Sequence, residues 1–201
     1  MVRIAVLVSG GGTNLQALID ATKANEINGE IVLVVSNRKK AYGLERAKNA
    51  AIRAEWIKEE ELLISRLQEE KVDLIVLAGY LAIISEKLIK LYKNRIINIH
   101  PSLIPSFCGP GYYGIHVHEK AFERGVKVSG ATVHFVSEVV DGGPIILQEA
   151  IDISEAKSPE EIQQMILMNI EHKIIVKAVK LYCDEKLKIE NERITIIWKE
   201  H

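Results

Sequence analysis

The stretch Ile4-Ala5-Val6-Leu7-Val8-Ser9-Gly10-Gly11-Gly12-Thr13-Asn14 decides the fold. Its first five residues are apolar without alternation, as in a strand covered on both faces rather than one with a wet side. Three glycines then stop the run, and residues 14–23 take up a helical pattern. A strand over residues 3–9, a glycine loop and a helix, in that order, predict the first βα unit of a sheet with helices packed on both faces.

The rhythm continues outward from there. Strands are predicted over residues 31–36, 54–57, 74–78 and 96–99, with helices over 41–51, 59–70 and 85–92 between them. Leu74-Ile75-Val76-Leu77-Ala78 is again apolar on both faces, so the fold class is α/β: a doubly wound, mostly parallel sheet of the Rossmann-like kind. After Pro105 the pattern changes to a loop rich in glycine, proline and aromatics over 106–115, then a helix over 116–124 ended by Gly125. Strands over 129–136 and 144–151 have no helix between them, which predicts antiparallel pairing that extends the sheet. Ser158-Pro159-Glu160-Glu161 opens a long helix with an N-cap, a proline at the first position and acids in the first turn. It is expected to run to about Cys183, before a terminal hairpin over 186–189 and 194–198. Without repeats, linkers or low-complexity segments, residues 1–201 read as one domain. Residues 1–100 form its nucleotide-binding half, and 101–201 hold the loop, the antiparallel strands, the long helix and the hairpin.

The formal net charge is −1, which gives no electrostatic support to a nucleic-acid or membrane role. No apolar run approaches the length of a membrane span. The two cysteines, Cys108 and Cys183, form neither a metal spacing nor a disulfide framework. These features fit a reducing cytoplasm best.

Four constellations carry possible chemistry. The Ser9 to Asn14 loop lies where backbone N–H groups and a helix N-terminus approach an anion. It is no dinucleotide fingerprint, because Leu15 stands where the third glycine belongs and Ser36-Asn37-Arg38 supplies no acid for a ribose diol. Against the phosphate reading stands a plain tight turn. The second, Ala78-Gly79-Tyr80-Leu81-Ala82-Ile83-Ile84-Ser85, reads as buried loop packing or as an apolar wall for an aromatic ligand. In the third, Ile96-Ile97-Asn98-Ile99-His100-Pro101, the Asn98 and His100 side chains leave one face of a strand end. An amide and an imidazole there can hold an oxyanion and move a proton, or merely satisfy backbone groups. The fourth, Asp141-Gly142-Gly143, reads as an ordinary hairpin turn or as a carboxylate set beside His100, orienting the ring and raising its pKa. His116 and His118, with Cys108 upstream, point in different directions and lack a further ligand at metal spacing, so no metal is predicted. His134 reads as structural or as a support for a neighbour.

Taken together, Ser9-Gly10-Gly11-Gly12-Thr13-Asn14, Asn98-Ile99-His100-Pro101-Ser102-Leu103 with Pro105, Gly130-Ala131-Thr132-Val133-His134-Phe135-Val136 and Asp141-Gly142-Gly143-Pro144-Ile145-Ile146-Leu147-Gln148 resemble the glycinamide ribonucleotide formyltransferases. These are the folate-dependent enzymes of purine synthesis, and the likeness covers nearly the whole chain in order. It implies direct transfer of the formyl group of 10-formyltetrahydrofolate to the amine of glycinamide ribonucleotide, without a metal. Carried over, Asn98, His100 and Asp141 become the catalytic residues. Gly11, Gly12, Thr13, Asn14 and Glu171 become the ribonucleotide site. Leu81, Ala82, Ile83, Ile84, Ile89, Asn98, Val136, Val140 and Asp141 become the folate site. Ala82 stands where better-known members carry arginine, Met168 replaces a polar residue one turn before Glu171, and the 106–115 loop is longer than in a bacterial member of the family. The rival readings are a methionyl-tRNA formyltransferase, expected to carry a second RNA-binding domain; a formyltetrahydrofolate hydrolase, with its extra regulatory domain; and a non-catalytic nucleotide-binding module, which leaves Asn98, His100 and Asp141 without a task.

Overall fold

The structure is a computed structural model and describes residues 1–198. Strand β1 (Val2–Val8) is followed by α1 (Thr13–Lys23), β2 (Gly29–Ser36), α2 (Tyr42–Asn49), β3 (Ala54–Trp56), α3 (Glu60–Glu69), β4 (Leu74–Leu77), α4 (Glu86–Leu91) and β5 (Ile96–His100). These five strands run parallel in the order β3-β2-β1-β4-β5. Helix α5 (Ile115–Arg124) leads to β6 (Val128–Phe135) and β7 (Ile145–Asp152), which add antiparallel beside β5. The predicted doubly wound sheet with antiparallel C-terminal strands is the observed one, and element ends differ by a residue or two. Pro144, with no N–H to donate, stays just outside β7.

The unbroken apolar runs explain the layering. Along β1, Ile4, Val6 and Val8 face the layer that holds α1 and α2, whereas Ala5 and Leu7 face α3 and α4. Each of these strand residues is at most 1 % exposed. Burying an aliphatic side chain of this size contributes about 1.5–3 kcal/mol, so both faces must be apolar for the strand to stay central.

Residues 159–183 depart from a plain helix. Pro159–Ile166 (α6), capped by Ser158 Oγ accepting from Glu161 N, passes into a π-helical turn over Leu167–Glu171 and then into α7 (His172–Cys183). The extra residue of a π turn re-aims the side chains that follow it. Periodicity in the sequence carries no mark of it. The terminal hairpin pairs β8 (Leu187–Glu190) with β9 (Arg193–Ile196), and its turn places Asn191 and Glu192 at φ 50° and 61°.

Chain order creates a crevice between β1 and β4, where successive helices leave toward opposite faces. Ser9 ties its two lips together. Its N–H donates to Gly79 O at 3.0 Å, and its Oγ accepts from Leu81 N at 2.8 Å while donating to Asn37 Oδ1 at 2.7 Å.

Candidate active site

One cavity of about 810 Å³ runs from the glycine loop to the end of β5. Every residue expected at a site lines it. At one end stand Gly11, Gly12, Thr13, Asn14 and Glu171. Leu81, Ala82, Ile83, Ile84, Ile89, Val136 and Val140 form an apolar wall, and Asn98, His100 and Asp141 close the far end. Ile83, 87 % exposed, is a large aliphatic side chain presented to the solvent side of that wall. Burial of such a surface needs a ligand or a partner. Met168 is exposed and lines no part of the cavity.

Strand β5 places Asn98 and His100 two residues apart on one face, and its partner β6 sets His134 directly across from Asn98. Asn98 Nδ2 lies 3.1 Å from His134 Nε2, and His134 Nδ1 lies 2.9 Å from the Phe135 carbonyl. The carbonyl accepts only, so His134 Nδ1 carries the proton and its Nε2 accepts from the Asn98 amide. That leaves the second N–H of Asn98 free. By the same reasoning His100 Nε2 donates to Phe107 O at 2.9 Å, and its Nδ1 faces Asp141 Oδ2 at 3.6 Å.

The Asp141 turn is more than a hairpin connection. With φ 55° it adopts the left-handed conformation that Asp tolerates, which sets its carboxylate between His100 and His134 Nε2, the latter at 3.7 Å. Gly109 N–H, from the 106–115 loop, donates to the same carboxylate at 2.8 Å. Burial pushes the Asp141 pKa up, but the groups around the carboxyl, the Gly109 N–H among them, outweigh it and hold the carboxyl below its ordinary value.

His100 corrects an expectation. The sequence suggested that the carboxylate raises its pKa; in the structure burial dominates, and the pKa lies below the usual histidine value despite the upward pull of Asp141 and the Phe107 carbonyl. The ring is 4 % exposed, so removing its cation from water costs more than one carboxylate beyond hydrogen-bond distance returns. At neutral pH the ring is therefore neutral, with a basic Nδ1.

The 106–115 loop is part of the site, with Gly109 to Gly114 lining the cavity. Phe107 sits at φ 48°, a conformation that costs about 1–2 kcal/mol in a residue with a Cβ. Ser102, fully buried, secures it through Oγ donation to Ser106 O at 2.6 Å. At the other end Glu171, delivered by the π turn, is buried, and its pKa is raised by that burial despite the Asn14 Nδ2 bond at 2.7 Å. Asn14 Oδ1 beside it is buried with no partner.

Sequence reasoning missed Gln163, Leu167 and His118 as cavity residues. His134, expected as structural or as a support for a neighbour, takes the second role through its register opposite Asn98. Gln163 and Leu167 reach the cavity from α6 and the π turn, and nothing local marks them. His118 lines the cavity while 1 % exposed, with its Nδ1 unpartnered. Among the described residues no cluster of three or more metal-ligating side chains occurs, and no helix is long and apolar enough to cross a membrane.

Comparison with known proteins supplies context for this geometry. Residues 2–179 match the family model described as formyl transferase. The chain is 39 % identical over 200 residues to phosphoribosylglycinamide formyltransferase of Haemophilus influenzae, covering 95 % of this chain and 92 % of that protein. It superposes on the crystal structure of glycinamide ribonucleotide transformylase 1 from Symbiobacterium toebii with a TM-score of 0.91 and 42 % identity, covering 98 % of this chain and 94 % of that one. A formyltetrahydrofolate deformylase from Pseudomonas syringae shares the fold at TM-score 0.87 and 25 % identity, over 97 % of this chain and 65 % of its own.

Proposed function

Because the chain belongs to the formyl transferase family, we infer that it is a formyl-transferring enzyme of purine biosynthesis whose acceptor is glycinamide ribonucleotide and whose donor is 10-formyltetrahydrofolate. The observation that carries the assignment of roles is the convergence of Asn98, His100 and Asp141 at one end of a cavity whose other end is a glycine loop. The separation of the two suits an acceptor with a phosphate at one end and an amine at the other.

In this reading Gly11, Gly12, Thr13 and Asn14 receive the phosphate on backbone N–H groups. Glu171 and the unpartnered Asn14 Oδ1 accept the ribose hydroxyls. The pterin lies against Leu81, Ala82, Ile83, Ile84, Ile89, Val136 and Val140. The substrate amine attacks the formyl carbon, and the formyl oxygen gains charge that the free Asn98 N–H receives. The ammonium formed in that step gives its proton to neutral His100 at Nδ1, where Asp141 stabilises the imidazolium. Collapse breaks the bond from the formyl carbon to the folate nitrogen, which takes a proton as it leaves. The reaction uses small molecules alone, and we assign it to the cytoplasm and to a single domain acting as monomer or homodimer.

A second reading, hydrolysis of the same donor, is favoured by the likeness to the deformylase. One assay separates the two. Tetrahydrofolate formation is followed by absorbance with and without glycinamide ribonucleotide. Release that requires the ribonucleotide is the expected result; equal release without it means a hydrolase, and none in either case means a binding module.

A further inference from the structure

The cavity is lined by Glu138, Asp141 and Glu171, but among the described residues by no lysine or arginine. A phosphate dianion there depends on well-aimed N–H donors and on charge from behind the wall. We propose that Arg46, on a helix that lines no part of the cavity, is a positioning residue for the acceptor's phosphate: it holds the Gly11 carbonyl outward and so aims the Gly12 N–H inward. The proposal rests on the phosphate reading of the glycine loop given above.

Two bonds from α2 set the orientation of two successive peptide groups. Gly43 N–H donates to Gly10 O at 3.0 Å, and Arg46 Nε donates to Gly11 O at 2.7 Å. In a planar trans peptide the carbonyl and the next residue's N–H point in opposite directions. With both carbonyls turned toward α2, the Gly11 and Gly12 N–H groups point away from it. No α2 residue lines the cavity, whereas Gly11 and Gly12 do, so that direction is into the cavity. Neither N–H makes a backbone hydrogen bond, and the first N–H groups of α1 add to them by helix geometry. The result is a concave set of donors whose aim is fixed by a neighbouring helix rather than by the loop itself.

The guanidinium is held for this task. Its Nη1 donates to Gln16 Oε1 at 3.2 Å, and Gln16 is itself oriented by Nε2 donation to Asp20 at 2.9 Å. The guanidinium also lies 5.0 Å from the Tyr42 ring centroid. Its neighbour Glu45 is engaged by Lys48 at 2.8 Å. Arginine suits the position because Nε and Nη1 point to two acceptors at once, a fork that lysine lacks.

The test compares Arg46→Met and Arg46→Lys with the unaltered enzyme on two acceptors, glycinamide ribonucleotide and the riboside that lacks the phosphate. A parallel NMR titration follows the Gly11 and Gly12 amides with inorganic phosphate alone. For Arg46→Met the expected result is a KM for the ribonucleotide raised about tenfold or more. Riboside kinetics should move by less than about twofold, and the phosphate-induced amide shifts should be lost at concentrations that saturate the unaltered loop. Arg46→Lys should recover only part of the difference. Equal losses on ribonucleotide and riboside, or full recovery by Arg46→Lys, overturn the proposal. If the unaltered loop responds to phosphate and the Arg46→Met loop responds equally, the proposal fails and the phosphate reading stands. If the unaltered loop ignores phosphate, both fail.

Discussion

At the glycine-loop end of the cavity the donors facing the ligand space are main-chain N–H groups, aimed by bonds that other elements make to the opposite side of the same peptides. At the β5 end the working groups are side chains, a partly buried amide and a buried imidazole, bonded to further side chains and carbonyls. The first end carries one acidic side chain, Glu171, whose pKa burial raises. The second has three imidazoles, of which His100 and His118 are pushed toward their neutral forms by burial. Donors built from backbone are steady across pH and select by shape and charge. A site built from buried side chains changes its protonation during the reaction, and the fold limits which state it rests in.

If this division is right, substitutions at the β5 end act on turnover and those at the loop end on acceptor affinity. His100→Ala should reduce kcat by about 10² to 10³, or about 3–4 kcal/mol, with KM for both substrates changed little. The His100 titration followed by NMR should lie below that of free histidine. Asp141→Asn should move it lower still, because the carboxylate is the attraction that opposes burial. Turnover of the double variant should fall much less than the product of the single losses, since the two act as one unit. A His100→Ala enzyme with normal kcat and a raised acceptor KM would reverse the assignment of the two ends.

The same division explains what the sequence discloses. Apolar runs such as residues 4–8 and 74–78 determine two-sided burial directly, so the layered sheet and the crevice between β1 and β4 are readable from pattern alone. That Asn98 and His100 share one face is readable from strand geometry, whereas Asp141 reads locally as a turn residue and joins them only through the family resemblance. The sign of the His100 pKa shift is not, because it depends on how much water the 106–115 loop, α5 and the turn at Asp141 exclude, and no local spacing records that. The π turn is hidden for a similar reason: one extra residue in a helix leaves the apolar periodicity on either side intact. Arg46 is hidden because its role lies in a bond to a carbonyl 35 residues away.

A second test sharpens the contrast through stability. His118 enters from α5, is 1 % exposed, and has its pKa lowered to about 4, first by burial and then by repulsion from His100. The unfolded chain therefore takes up this proton before the folded one. The stability due to His118 is complete above the ordinary histidine value of 6.5, falls as pH drops from there toward 4, and levels off below. Its magnitude is about 3 kcal/mol. Chemical denaturation at several pH values should show His118→Leu losing less stability than the unaltered protein over that window by about this amount. Parallel curves for the two proteins would mean that the acid sensitivity resides elsewhere.

The smallest effect separates two adjacent glycines that the sequence does not distinguish. Gly12 has φ +70°, and a Cβ built on it lies 2.8 Å from Gly43 Cα and 3.6 Å from Arg46 Cδ. That is backbone of α2 meeting the loop, and helix and loop cannot part without losing the bonds that turn the Gly10 and Gly11 carbonyls outward. Gly11 has no positive φ, and a Cβ there meets nothing within 4 Å. Gly12→Ala should thus destabilise the protein by about 1–3 kcal/mol through strain at φ > 0 and crowding against α2. Gly11→Ala should leave stability within about 0.5 kcal/mol. Its methyl enters open space on a residue that lines the cavity, so its cost appears instead as weaker ribonucleotide binding with formyl-donor affinity unchanged. Thermal unfolding and acceptor calorimetry on the pair check both halves. A Gly11→Ala protein that is stable and binds the ribonucleotide normally would mean that the open side of Gly11 is not where the phosphate sits.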